Sequence, residues 1–191
     1  GKAEELDSLG AEAVGAAVAA KLLTSGEKSI TVQNVAAGEL SRIDPAAFAA
    51  RFALGSVLRS YRYDRYLTKQ PEGKKPTLEE VTLIVADKTA AEAAFAPLAA
   101  LGDAVNFVRD LVTAPGNVIY PASYAEEIRK LEKFGVEVEV LDVAAMEKLG
   151  MGALLAVGQG SINEPRLVVM QWKGADAESE PVAFVGKGVT F

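Results

Sequence analysis

The sequence predicts an α/β protein. Short β-branched and apolar runs recur at 29–34, 81–87, 136–141, 166–172 and 182–186, and segments with helical patterning alternate with most of them. Half of the 191 residues are hydrophobic, which is enough for a buried core. No apolar run approaches the roughly 20 residues that span a bilayer.

The elements follow in chain order. Residues 9–23 are alanine-rich and helical, with Ser25-Gly26 as the stop. "SITVQN" (29–34) is short and β-branched, hence a strand. Asp44-Pro45 starts the next helix: the aspartate accepts from free backbone N–H groups and the proline suits the first turn. Phe48, Phe52 and Gly55 then mark one buried helix face. "QPEGKKPT" (70–77) is an exposed loop by its prolines, glycine and lysines. "VTLIVAD" (81–87) is continuously apolar, the pattern of a strand covered on both faces. Helical patterning resumes over 89–112, and Pro97 predicts a break in it, because proline lacks the N–H donor and crowds the preceding turn. "TAPGNVIYP" (113–121) is a loop, and 121–134 is a helix closed by Gly135. "VEVEVL" (136–141) alternates and reads as a strand with one wet face. Asp142 caps a short helix to about Leu149. Residues 166–172 and 182–186 are the last two strands.

Composition excludes several chemistries. With no cysteine there are no disulfides, no thiolate metal sites and no cysteine nucleophile. With no histidine, a Ser-His-Asp triad and a histidine zinc site are both impossible within this chain. A metal here must take Asp, Glu, backbone oxygen or lysine. Residues 1–5 have no apolar h-region of a signal peptide, and the lack of cysteine suits a cytoplasmic protein. The net charge of −6, from 20 basic and 26 acidic residues, repels nucleic-acid backbones unless a basic patch is segregated.

Four stretches carry candidate chemistry. "VGQGSINEP" (157–165) fails the dinucleotide fingerprint: Asn163 stands where the third glycine belongs, and Pro165 leads into a strand instead of a helix. "GKGVTF" is not a phosphate-binding P-loop, because Gly188 follows the lysine where Ser or Thr is needed. "RSYRYDRYLTK" (59–69) interleaves arginines with tyrosines, as single-strand nucleic-acid binders do. Its spacing, with Arg62 and Tyr66 one helical turn apart, favours cationic stems lying along a helix surface. "VRDLVTAPGNVIYP" (108–121) places Arg109, Asp110 and Asn117 at a helix-to-loop junction with a capping role.

The blocks "FVRDLVTAPGNVIYPASYAEE", "LGMGALLAVGQGS", "EPRLVVMQW" and "VAFVGKGVTF", taken in that order between 107 and 191, resemble the M17 leucyl aminopeptidases, or cytosol aminopeptidases. Together they are highly specific; residues 1–100 resemble the more variable N-terminal half. Thr113 stands where an asparagine is usual, a change expected to touch loop hydrogen bonding and not chemistry. The resemblance implies residues 1–96 as the latter part of a small N-terminal α/β domain. It makes 97–113 a connecting helix and 114–191 the first part of an α/β metallo-aminopeptidase catalytic domain. On this reading the chain is cut at both ends, with Phe191 one residue before an expected bridging aspartate.

The implied enzyme releases N-terminal residues, leucine preferred, from peptides. It uses two divalent ions (manganese or zinc, with magnesium a third candidate) and assembles as a homo-hexamer without membrane or nucleic-acid partners. Lys187 matches the family's metal-ligating lysine, and no catalytic residue lies within this chain, so the chain by itself is expected to be inactive. Chemistry supports a lysine there only if its ammonium proton is lost, which neighbouring dications and burial at a strand end both favour. The flanking glycines let the backbone approach. The competing reading is a non-catalytic α/β nucleic-acid-binding or assembly module that uses 59–69.

Overall fold

The computed structural model describes residues 5–33, 42–176 and 178–190. Residues 1–4, Asn34 at the end of the first predicted strand, and Phe191 lie outside the described residues. The chain divides into two units, 1–110 and 111–191.

In the first unit, α1 (Ser8–Leu22) starts at Asp7, whose Oδ1 accepts from the Gly10 N–H at 2.8 Å. It packs on α2 (Pro45–Ser60), which starts at Asp44; that carboxylate accepts from both Ala46 and Ala47, as the Asp-Pro pair predicts. The crossing is close. A β-carbon on Gly15 would lie 2.0 Å from the Phe52 carbonyl oxygen, and one on Gly55 would lie 1.9 Å from that of Glu12. Ala11, Ala19, Ala49, Phe52 and Leu54 are buried around it. The buried Ser56 hydroxyl lies 3.0 Å from the Phe52 carbonyl oxygen and 3.2 Å from that of Gly15, so this buried donor is satisfied.

The strands of this unit, β1 (Ser29–Gln33) and β2 (Glu80–Ile84), form a parallel pair in register from Ser29↔Glu80 to Gln33↔Ile84. The continuous apolar run of β2 does not mean two covered faces. Exposed and half-buried residues alternate along it, and Ile84 is 50% exposed. Among the described residues this is a two-stranded sheet, too narrow to be sandwiched.

Two helix predictions need correction. Residues 61–69 are not helical: α2 ends at Ser60, and the Tyr61 backbone is already extended at ψ 134°. Tertiary contacts of the tyrosines and arginines, described below, replace helical ones there. Conversely, α3 (Lys88–Thr113) runs through Pro97 unbroken. The proline withdraws one hydrogen bond, but the alanine-rich turns on either side are strong helix formers and carry the helix across. α3 is also long and apolar enough over an 18-residue window to cross a bilayer by length and composition alone.

In the second unit, α4 (Pro121–Arg129) passes into a single 3₁₀ segment (Lys130–Phe134) that Gly135 ends in the left-handed region at φ +85°. β3 (Glu137–Leu141) pairs antiparallel with β4 (Leu167–Gln171), from Glu137↔Gln171 to Leu141↔Leu167. Glu137 and Glu139 are exposed while Val138 and Val140 are half-buried, the alternation read from the sequence. Asp142 Oδ1 accepts from the Ala145 N–H at 2.9 Å and starts α5 (Val143–Lys148), whose Met146 is fully buried. A helix not predicted, α6 (Gly152–Gly158), follows; no side-chain cap marks its start. Past β4, the Trp172 ring lies over Gly174, where a β-carbon would fall 2.6 Å from the indole.

The last predicted strand is absent. Residues 182–186 form no strand, and Phe184 and Val185 are 94% and 99% exposed. β-propensity is realised only against a neighbouring strand and a covered face, and no described residue supplies either here.

Candidate metal centre

Lys187 lies in this exposed segment and is itself exposed. Its two flanking glycines differ. A β-carbon on Gly186 would meet nothing within 4 Å, whereas one on Gly188 would lie 3.0 Å from Tyr124 Cε1 and 3.6 Å from Cδ1. A side chain at 188 would therefore meet the edge of the Tyr124 ring and need it to shift by a few tenths of an ångström.

Tyr124 comes from the first turn of α4, which several local interactions fix. Pro121 occupies the start of the helix. The Tyr120 N–H donates to Ser123 Oγ at 3.0 Å, and that hydroxyl donates back to the Val118 carbonyl at 2.7 Å. Ala125 and Ile128 are buried beneath it. The sequence gives no sign of the Tyr124 contact: the two residues lie far apart in the chain, and no spacing pattern links them.

The donors set what this centre can hold. Lys187 offers a single nitrogen in an exposed segment. Among the described residues no group of three or more Asp or Glu side chains converges. The described residues therefore bring together no set of donors that would hold a metal ion.

The other candidate stretches resolve into structural roles. Tyr61 donates to Asp110 Oδ1 at 2.9 Å, and Arg65 pairs with Asp110 Oδ2 at 3.5 Å. Arg109 lies over the Tyr61 ring at 5.3 Å and donates to the Leu58 carbonyl at 2.6 Å. It thereby satisfies one of the carbonyls left open at the C-terminal end of α2. The capping role read at the 108–121 junction is real, but it serves α2. Tyr63 meets Tyr66 edge-on at 6.0 Å and carries Arg65 over its ring at 5.4 Å. Burial raises the Tyr63 hydroxyl above its ordinary pKa of 10.0, Tyr66 adds to this, and Arg65 opposes it. At 158–160 the chain makes a turn, with the Ser161 N–H donating to the Gly158 carbonyl at 3.1 Å. Gly158 is required by packing, since a β-carbon there would fall 2.8 Å from the Pro165 ring.

Comparison with known proteins places the chain's likeness as follows. Residues 106–191 match the family described as cytosol aminopeptidase, catalytic domain. A probable cytosol aminopeptidase of Chelativorans sp. (strain BNC1) is 49% identical over 179 residues, covering 93% of this chain and 35% of that protein. One from Caulobacter vibrioides is 50% identical over 147 residues, covering 76% and 30%. Among solved structures, the bottromycin maturation enzyme BotP in complex with Mn superposes with a TM-score of 0.74 at 27% identity, over 91% of this chain and 35% of that one. A mutant of tomato leucine aminopeptidase gives 0.69, also at 27% identity, over 84% and 32%. The chain spans about a third of the length of the curated relatives it matches.

Proposed function

We infer that this chain, a member of the cytosol aminopeptidase family by its sequence likeness to the family's proteins and its catalytic-domain match, forms part of an enzyme that hydrolyses peptides from their amino ends. The observation that carries this is the match over residues 106–191, which includes Lys187 and the glycines beside it. On the finer reading, leucine is the favoured N-terminal residue, the working enzyme uses two divalent ions, and Lys187 is one ligand. Manganese is supported as one such ion by the BotP structure. The working form is a cytoplasmic homo-hexamer.

When bound, paired divalent ions would polarise the scissile carbonyl and lower the pKa of a water. What this chain would bring is the Lys187 amine, on a short glycine-flanked segment. The chain alone supplies one such donor, so it is expected to be inactive by itself.

Two assays test the reading. The 191-residue chain, given leucine p-nitroanilide and manganese, should show no turnover above buffer; clear turnover would sink the expectation. In the full-length protein, Lys187→Ala should lower kcat/KM by at least about 100-fold, on the scale of removing a group that acts directly in catalysis. An unaffected rate there would refute the role of Lys187.

A further inference from the structure

We propose that the stretch 59–75, from the end of α2 into the loop after it, is a surface for single-stranded nucleic acid. The assignment is independent of peptide hydrolysis and of any metal. In a chain of net charge −6 this stretch is basic: Arg59, Arg62, Arg65, Lys69, Lys74 and Lys75 stand against only Asp64 and Glu72. It also lies outside residues 106–191, the catalytic-domain match.

Tertiary contacts hold the loop in shape. Tyr61 and Arg65 are both fixed on Asp110, and Gln70 donates to Asp64 Oδ2 at 3.2 Å. Arg62 Nη1 donates to the Lys74 carbonyl at 2.9 Å, which draws the 74–75 lysine pair back beside the 59–69 run. The two groups of cations, parted in the sequence by Pro71 and Gly73, are thereby gathered on one loop.

The same contacts sort the cations. Arg62 and Arg65 are engaged by Asp64 and Asp110. Arg59, Lys69, Lys74 and Lys75 are exposed, and no carboxylate among the described residues pairs with them. Between them Tyr66 is 53% exposed, and Tyr63 supports its ring at 6.0 Å between centroids. Unpaired cations attract any polyanion. An exposed ring among them adds stacking on a base, which a duplex withholds and an acidic protein lacks.

Fluorescence anisotropy of a labelled oligothymidylate with the 191-residue chain tests this. Four phosphate contacts on a single strand should give a slope of about −3 in log K against log salt. Lys69→Ala, Lys74→Ala and Lys75→Ala should each reduce that slope by about 0.7, whereas Lys148→Ala, in α5, should leave it unchanged. Tyr66→Ala should lower affinity by about 5- to 100-fold, the range for one stacked base, and Tyr66→Phe should bind as the parent does. No binding at low salt would overturn the proposal, as would lysine variants that keep the parent's slope. A duplex bound as tightly as the single strand would overturn the stacking. Polyglutamate or anionic phospholipid vesicles that compete as well as the oligonucleotide would overturn nucleic acid as the partner.

Discussion

Gly15 and Gly55 each receive a carbonyl of the opposite helix where a side chain would otherwise stand, at 2.0 and 1.9 Å from a β-carbon. Backbone cannot yield as a flexible side chain can. Gly55→Ala should therefore cost about 1–3 kcal/mol despite the better helix propensity of alanine. Urea denaturation followed by circular dichroism measures this, and a variant as stable as the parent would show that the helices are free to separate. At this scale the sequence was half legible. Spacing picked out Gly55 with Phe48 and Phe52 as a buried face, but a period identifies a face and never its partner, so Gly15 went unseen. The same limit applies at Lys187: its glycine flanks are visible in the sequence, whereas the ring against Gly188 is a non-local contact.

Helices were read well where a capping carboxylate stood before them, as at Asp44 and Asp142, and poorly where the outcome depended on tertiary partners. α3 crosses Pro97 without ending. The missing N–H and the ring's crowding of the Ala93 carbonyl are still a local cost. Pro97→Ala should raise stability by roughly 1–3 kcal/mol, set by proline's penalty in a helix interior less the entropy it removes from the unfolded chain. A lower thermal midpoint in that variant would mean that the proline is needed for a shaped bend. The helical reading of the 59–69 spacing failed for the opposite reason. Tyr61 and Arg65 satisfy themselves on Asp110, so the chain leaves the helix where a local pattern would continue it.

For the molecule as a whole, alternating strands and helices gave the α/β class correctly, and the ordered blocks of 107–191 pointed to the family that the comparisons support. What spacing could not give was sheet width. The described strands make one parallel and one antiparallel pair, and each pair leaves apolar surface uncovered. In the second unit Ile162, Val182, Phe184 and Val185 are all more than 80% exposed. Exposed large apolar side chains favour association. The isolated chain should therefore self-associate with rising concentration, and Phe184→Lys with Val185→Lys should reduce this in light scattering. A parent chain monomeric at all concentrations would contradict it. Trp172, resting over Gly174 beyond β4, is the chain's single tryptophan. Its fluorescence consequently reports on the second unit alone, so an emission change and a circular dichroism change that occur at different urea concentrations would reveal the two units melting separately, with no label added.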